Sequence, residues 1–232
     1  RYNRFGPHNG TAVKVSGAGD GLHVLDNDFE AVALPVDLEL GVESESWVDF
    51  GYNRIRGASL GMRARGNWRG WVRENVLWEV QQGFDVQAVG DLEVRGNWVR
   101  FEDQGMELVS ESVQFESNIL HGGGQGLALG SEDSSGSYLV SGNSFVTETA
   151  PAVLFVGADA ELKSLGNLSL LSLEGGDGNV TCASKAACWV DVDAGSYYPT
   201  QDPVINAGVQ TGALGLDFCG RERSEWQWVG GL

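Results

Sequence analysis

Cysteine, proline, methionine and histidine are scarce in this chain, and basic residues are outnumbered by acidic ones. Its 232 residues include 3 Cys, 5 Pro, 2 Met and 3 His, with 15 Lys and Arg against 32 Asp and Glu. The net charge of −17 argues against nucleic acid and anionic membranes as partners, because both require a positive protein surface. No apolar run approaches the length of a membrane span, so we expect no transmembrane segment.

The few cysteines and histidines also limit the expected metal and disulfide chemistry. The three histidines are scattered and the cysteine spacing fits no zinc pattern, so we expect no metal site and no cofactor. Calcium bound by acidic side chains is the alternative that stays open. Cys182 and Cys188 bracket a short loop and are predicted to form a disulfide, which leaves Cys219 over. The alternative is three free buried thiols.

Glycine is abundant and asparagine is periodic. The 34 glycines suit many tight corners between short strands. Asparagines recur at intervals of 21 to 26 residues, each after an alternating apolar stretch, at Asn3, Asn27, Asn53, Asn75, Asn97, Asn118, Asn143 and Asn167. This period predicts a solenoid, with one asparagine at the same corner of each coil. We expect these amides to form a hydrogen-bonded ladder along the stack, which is a structural role.

Apolar residues fall into register when the chain is aligned on these asparagines. Three places before them stand Val24, Phe50, Val72, Val94, Phe115 and Val140. Alternation with period two places such a column on the inner face of a short strand. A second apolar strand follows each asparagine by about ten residues. Short strands of this kind bury their apolar sides only by stacking on neighbouring coils.

The repeat, Gly-Φ-x-Φ followed by Φ-x-Φ-x-x-Asn-x-Φ where Φ is apolar, resembles that of the right-handed parallel β-helix, or pectin-lyase-like, superfamily. The tail around Asp202-Pro203-Val204-Ile205-Asn206-Ala207-Gly208 is similar to the closing segment of its secreted bacterial members, although Asp202 and Asn206 depart from their common residues. The resemblance implies an all-β, right-handed parallel β-helix of about eight turns over residues 1–170. We expect residues 171–232 to form a C-terminal capping segment packed on the helix; a separate small binding module is the alternative.

The resemblance also implies a bacterial protein that is secreted or displayed at the cell surface. The chain opens within a repeat, so we expect a mature or trimmed fragment. None of the superfamily's pectate lyase or polygalacturonase motifs is present, so no catalytic residue transfers from it.

A carboxylate pair offers one candidate for catalysis. The predicted outward column of the second strand contains Lys14, Glu39, Gly61, Asp85 and Glu107. Asp85 and Glu107 would then stack on adjacent coils, with Arg63 diagonal to them. Two carboxylates beside an arginine could act as the acid and base of a hydrolase or lyase, or could share a cation. The alternative is that all three are surface residues.

Arginines and tryptophans offer a candidate for substrate binding. Residues 53–73 contain six arginines and no acidic residue. The predicted outward positions include Arg69, Trp71 and Arg73 on one coil and Arg95 on the next. Arg69 is expected to pair with Asp91, whereas Arg73 would lie opposite Arg95, a like-charge contact. Arginine forks and tryptophan faces suit an acidic polysaccharide; the alternative is a solvated surface neutralised by nearby glutamates.

The functional hypothesis is therefore an extracellular, monomeric carbohydrate-interacting protein that binds or cleaves a polysaccharide. The more specific form of this hypothesis is an enzyme that cleaves the polysaccharide by a lyase or glycoside hydrolase mechanism. The alternative is a non-catalytic structural or adhesive β-helix at a cell surface, because a fold alone does not determine a function.

Overall fold

The computed structural model describes residues 1–17, 19, 21–149, 151–157, 159–173 and 178–199. In chain order the elements are β1 (Arg4–Phe5), β2 (His8–Gly17), β3 (Leu22–Leu25), β4 (Asp28–Glu30), β5 (Val32–Leu40), β6 (Ser46–Gly51), β7 (Arg54–Arg56), β8 (Leu60–Gly66), β9 (Trp68–Arg73), β10 (Val76–Ala88), β11 (Leu92–Arg95), β12 (Trp98–Val109), β13 (Ser112–Glu116), β14 (Ile119–Gly122), β15 (Gln125–Leu129), β16 (Ser137–Ser141), β17 (Ser144–Thr147), β18 (Val153–Phe155), β19 (Glu161–Leu165), β20 (Leu168–Ser169), β21 (Val180–Thr181), α1 (Lys185–Cys188), β22 (Trp189–Asp191) and β23 (Ser196–Pro199).

Strands β1 to β21 stack as a parallel solenoid of about 7 turns, which confirms the predicted all-β class, and β22 and β23 form a separate antiparallel pair. The first face is a seven-stranded parallel sheet in the order β3-β6-β9-β11-β13-β16-β19. The second face follows the order β1-β4-β7-β10-β12-β14-β17-β20-β21, and the third follows β2-β5-β8-β10-β12-β15-β18. The turn count is slightly below the predicted eight, because the eight asparagines mark corners and enclose seven intervals.

Strands β10 and β12 belong to both the second and the third face. The first part of β10 pairs with β7, and its last part pairs with β8. Register shifts on either side of Val80 mark the place where the strand changes partner. The chain therefore turns from one face to the next without leaving its hydrogen-bonded ladder, as β-bulges allow.

The asparagines form the ladder that their spacing predicts. The Oδ1 of Asn97 accepts bonds from the backbone N–H and the side-chain amide of Asn75, at 3.1 and 2.9 Å. The amide of Asn97 donates to Oδ1 of Asn118 at 2.9 Å and to the Val72 carbonyl at 2.8 Å. The same pattern runs from Asn3 through Asn167 and continues to Asn179. Asn179 lies only 12 residues beyond Asn167, so the regular period does not reveal it.

A backbone feature accompanies each asparagine of the ladder. The preceding residue has a left-handed φ between +54° and +69° in the examples from Glu74 to Gly178. The complete set is Tyr2, Asp26, Tyr52, Glu74, Gly96, Ser117, Gly142, Gly166 and Gly178. The left-handed region is unfavourable for side chains other than glycine, by roughly 1 kcal/mol or more per residue. At the five of these positions that are not glycine, the amide bonds of the ladder therefore hold the corner in a conformation that the local sequence alone does not favour.

The interior consists of the predicted apolar columns. Val24, Phe50, Val72, Val94, Phe115 and Val140 are all buried and are in register along the first face. Trp68, which directly precedes the outward-facing Arg69, is fully buried. Its indole N–H donates to the Gln87 carbonyl at 3.2 Å, so this side chain belongs to the core.

The last described segment lies along the side of the solenoid. We call residues 185–199 the C-terminal strap. Trp189 and Tyr197 of the strap pack with Ile119 and Val146 in a second apolar cluster, outside the main core. A disulfide joins Cys188, in the first turn of the strap, to Cys182 just before it, with an S–S distance of 2.00 Å. Residues 200–232, which include the tail similar to the β-helix closing segment and Cys219, lie outside the described residues.

We predict that the ladder contributes more at the centre of the stack than at its edge. Asn97→Ala should lower the free energy of unfolding by on the order of 3 kcal/mol, because it leaves several buried polar groups unpaired. Asn3→Ala is the matched control and should cost less than about 1 kcal/mol, since Asn3 is exposed. Chemical denaturation measures both variants, and equal losses would contradict the ladder's proposed importance.

Candidate functional site

A shallow groove crosses the outer surface of the first face. Its volume is about 300 Å³, and its aromatic and polar lining consists of Trp47, Arg69, Trp71, Asp91, Glu93, Ser112 and Gln114. These residues come from β6, β9, β11 and β13 and the residue before β11, which are consecutive in the sheet. The groove, which we call the Trp47–Trp71 groove, therefore extends over four adjacent coils.

Aromatic rings form one side of this groove. The rings of Trp47 and Trp71 meet edge to face with centroids 5.1 Å apart, and His23 meets Trp47 at 5.3 Å. All three side chains point outward because they occupy alternate positions to the buried core residues of their strands. The rings thus present a continuous apolar surface of partly exposed side chains on an otherwise strongly charged face.

The arginines predicted to bind substrate surround these rings, but carboxylates of the protein already neutralise them. Arg73 makes a bidentate contact with Asp49, at 2.9 and 2.8 Å. This hydrogen bonding raises the pKa of Arg73. Arg95 pairs with Glu93 at 2.8 Å, and its guanidinium lies 6.0 Å from the centre of the Trp71 ring. The Arg73 guanidinium lies over the same ring at 4.8 Å.

Two expectations for these arginines have different outcomes. The predicted Arg69–Asp91 ion pair is wrong, because the Arg69 guanidinium pairs with Glu45 at 3.0 Å, on the loop before β6. Arg73 does lie opposite Arg95 in the parallel register. Asp49 and Glu93 resolve the like-charge contact between them, so no external anion is required for this purpose.

The remaining groove residues are hydrogen-bonding groups. Asp91 and Gln114 are exposed, whereas Glu93 and Ser112 are half-buried. Carboxylate, amide and hydroxyl groups beside an aromatic surface can bind the hydroxyls of a ligand whose apolar face lies on the rings. The groove therefore combines the two contact types that a sugar ring offers.

The three predicted catalytic residues lie together on the third face. The observed register places Lys14, Asp37, Arg63, Asp85 and Glu107 in one column. Asp85 does lie opposite Glu107, as expected. Arg63 lies opposite Asp85 rather than diagonal to it. The predicted members Glu39 and Gly61 are wrong, because each lies two residues along its strand from the column members Asp37 and Arg63.

Most side chains of this column form ion pairs within the protein. Arg63 binds both carboxylate oxygens of Asp37 at 2.9 Å, and Asp37 is only 3% exposed. The hydrogen bonds from Arg63 lower the pKa of Asp37. Asp85 Oδ2 accepts a bond from Arg65 at 2.7 Å, while its buried Oδ1 has no hydrogen-bond partner. Glu107 is half-buried beside it. The carboxylates are adjacent, but neither of the two polar pockets described in this section includes them.

A second pocket, absent from the sequence-based candidates, lies between the strap and the second face. Its volume is about 500 Å³, and its charged and polar lining includes Arg100, Glu102, His121, Glu148, Lys185 and Asp193. We call it the strap pocket. Lys185 and Asp193 belong to the strap, whereas the other four side chains belong to the solenoid or its loops.

His121 is the buried polar centre of the strap pocket. Its Nδ1 lies 2.7 Å from the Tyr197 hydroxyl. Burial, followed by the charges of Lys185 and Arg100, lowers the pKa of His121 to about 4. Burial also raises the pKa of Tyr197 to about 12. The imidazole and the phenol are therefore both neutral at pH 7.

The sequence contains little that could indicate this pocket. His121 is an isolated histidine, and Tyr197 is 76 residues away. Their contact requires the strap to fold back along the solenoid, which no repeat position encodes. Two tryptophans, Trp78 and Trp98, are the sequence feature that lies nearest to this pocket. Their rings meet edge to face at 5.1 Å, and Trp98 also contacts Tyr197.

No protein-family model matches the chain, and no curated protein or solved structure is a match for it. The relationship to the pectin-lyase-like superfamily therefore stays a prediction from the repeat. Within the described ranges, no group of three or more His, Cys, Asp and Glu is arranged to hold a metal ion. No helix in the same ranges is long and apolar enough to cross a membrane.

We predict that the Asp37–Arg63 pair stabilises the third face. Arg63→Met should lower the free energy of unfolding at pH 7 by on the order of 3 kcal/mol, because it removes the main partner of a buried carboxylate. The pair's contribution requires ionised Asp37, whose pKa is lowered in the folded state. The difference in free energy of unfolding between Arg63→Met and the wild type should therefore become smaller as the pH falls below 3.8, the ordinary pKa of an aspartate. Arg54→Met, at an exposed position, should have little effect at either pH.

We also predict that His121 makes the protein less stable in mild acid. The unfolded chain binds a proton at His121 near pH 6.5, whereas the folded protein does so only near pH 4. Stability should therefore fall by on the order of 2 kcal/mol between these values. Denaturation of His121→Gln at a series of pH values should show a smaller slope. His8→Gln, at an exposed position on β2, should keep the wild-type slope, and identical slopes in all three proteins would refute the assignment.

Proposed function

We propose that the protein binds a polysaccharide along the first face of the solenoid, in the Trp47–Trp71 groove. The observation that carries this proposal is the edge-to-face pair of Trp47 and Trp71 beside a row of carboxylate, hydroxyl and amide groups. Aromatic rings pack against the apolar faces of sugar rings, and the polar row can bind their hydroxyls. Binding rather than cleavage is the activity that these contacts support.

The repeat geometry favours an extended polymer over a single small molecule. Neighbouring coils are about 4.7–4.9 Å apart in a parallel sheet, so equivalent outward positions recur at that spacing along the axis. The groove takes side chains from four consecutive strands of this kind. A sugar chain lying along the axis would contact a new coil at each step, and each contact would add to the total affinity.

The charges around the groove favour an uncharged sugar chain. The sequence suggested an acidic polysaccharide because of its arginines, but Arg69, Arg73 and Arg95 each pair with a carboxylate of the protein. The exposed carboxylate of Asp91 lines the groove as well. With a net charge of −17, the protein as a whole repels a polyanion. We therefore propose a neutral polysaccharide as the ligand.

The proposed location is outside the cell or at its surface. Polysaccharides are ligands of secreted proteins, and the Cys182–Cys188 disulfide is of a kind that persists in oxidising compartments. The disulfide closes a loop at the start of the strap and so fixes a segment that has few coil-to-coil hydrogen bonds.

The alternative is a structural or adhesive β-helix whose rigid body is itself the function. The continuous amide ladder and the ion-paired column on the third face favour this alternative, because both stiffen the stack without forming a pocket. It differs from the leading proposal in requiring no soluble ligand for the first face.

We predict that Trp71→Ala weakens binding to a neutral polysaccharide at least about tenfold, because it removes an aromatic contact of on the order of 2 kcal/mol. Affinity electrophoresis through gels that contain mixed-linkage β-glucan, xylan, polygalacturonate or alginate measures the retardation of each variant. The wild type should be retarded by a neutral polymer more than by a polyuronate.

Trp78→Ala is the matched control, because Trp78 is a half-buried tryptophan of the second face. It should leave retardation by the neutral polymer unchanged. Retardation by polyuronates alone, or equal effects of the two tryptophan variants, would overturn the proposed site. An absence of retardation by every polymer would favour the structural alternative.

A further inference from the structure

Arg100 is a cation that lines the strap pocket. Its guanidinium lies 4.7 Å from the centre of the Trp78 ring, which holds its plane in position. Throughout the described ranges, no carboxylate lies within ion-pairing distance of it, in contrast to the arginines of the Trp47–Trp71 groove. An oriented arginine without a partner in a pocket is suited to bind an anionic group of a ligand.

Lys185 faces the same pocket from the strap. Its ammonium group pairs with Glu148 at 2.8 Å and lies 3.6 Å from Asp193. An ammonium group has three hydrogens to donate, so these two carboxylates leave one donor available. The hydrogen bond to Glu148 raises the pKa of Lys185 and keeps this group charged.

His121 supplies a third donor through its tautomer. If the Tyr197 hydroxyl donates to Nδ1, the neutral ring carries its proton on Nε2. We adopt this tautomer, in which the phenol donates and Nδ1 accepts; with the proton on Nδ1 instead, the ring would donate to the Tyr197 oxygen and Nε2 would be an acceptor. The remaining N–H then completes a set of guanidinium, ammonium and imidazole donors.

Acidic groups at the pocket limit which anions it can accept. Glu79 is already paired with Arg56 at 3.0 Å, and Glu148 is paired with Lys185. Glu102 and Asp193 are exposed, so water screens their charges. Among the charges that act on the His121 ring, those of Lys185 and Arg100 outweigh those of Asp193 and Glu148.

We propose that the strap pocket binds the oxyanion group of a small ligand, a carboxylate or a phosphate ester, between Arg100 and Lys185, with His121 as a further donor. The volume of about 500 Å³ fits a ligand the size of a sugar acid or a sugar phosphate. The proposal does not depend on the function proposed for the first face, since the two sites lie on different faces.

The experiment uses glucuronate, glucose 6-phosphate and glucose as probes. Each is titrated into the whole protein while the ring resonances of His121 are followed by NMR and assigned with His121→Gln. The acidic probes should shift these resonances and raise the pKa of His121, because a bound anion favours the protonated ring. Glucose should do neither. A response to glucuronate alone identifies a carboxylate ligand, one to glucose 6-phosphate alone identifies a phosphate ester, and responses to both identify a general oxyanion site.

Arg100→Gln should lower the affinity for whichever acidic probe binds the wild type by at least about tenfold, since it removes a charge-assisted hydrogen bond. Arg54→Gln is the matched control on the same face and should bind as the wild type does. Unchanged His121 resonances with both acidic probes, an equal response to glucose, or full binding by Arg100→Gln would overturn the proposal. If Arg100→Gln fails to fold, the wild-type titrations with the three probes decide the question alone.

Discussion

The stacking of equivalent positions in successive coils is the constraint on which the rest of the molecule depends, and the buried asparagine ladder enforces it. Each amide satisfies backbone and side-chain groups of the neighbouring coils, so the chain cannot slip by one residue without leaving buried polar groups unpaired. The apolar columns reinforce the same register, because a slip would turn every inward side chain outward. From Asn3 to Asn167, both interactions join residues more than twenty positions apart in the sequence.

This register turns the outer surface into columns whose chemistry differs from face to face. The first face carries partly exposed tryptophans beside neutralised arginines. The third carries a column of charges that alternate in sign from Lys14 to Asp85 and include the Asp37–Arg63 pair. The second face is covered in part by the strap, which produces a pocket with a buried histidine. A rigid solenoid can hold such surfaces apart, so one molecule can present a polymer-binding groove and a separate small-ligand pocket.

Much of the architecture follows from the periodic asparagines and the apolar residues three places before them. They indicate the solenoid, the inner column and the outward position of Trp71. The prediction for the third face was less accurate. Glu39 was assigned to the charged column instead of Asp37, because the nearly continuous apolar pattern of β5 looks the same when it is shifted by two residues along the strand. The ion-pair partners of Arg69 and Arg73 could not be predicted from the sequence either, since several carboxylates lie within reach of each arginine.

The amino-acid sequence by itself determined the coil, its period and the buried positions, because these follow from a local pattern of apolar residues and asparagine that recurs in every turn. Tertiary structure alone decided which carboxylate neutralises each arginine and where the strap lies. It also decided that His121 and Tyr197 meet and that Arg100 lies over Trp78, with no acidic partner in the part of the chain that the structure describes. The physical reason is that these contacts join side chains across faces or across the fold-back of the strap. Their geometry depends on three-dimensional packing, for which no period in the chain carries a signal.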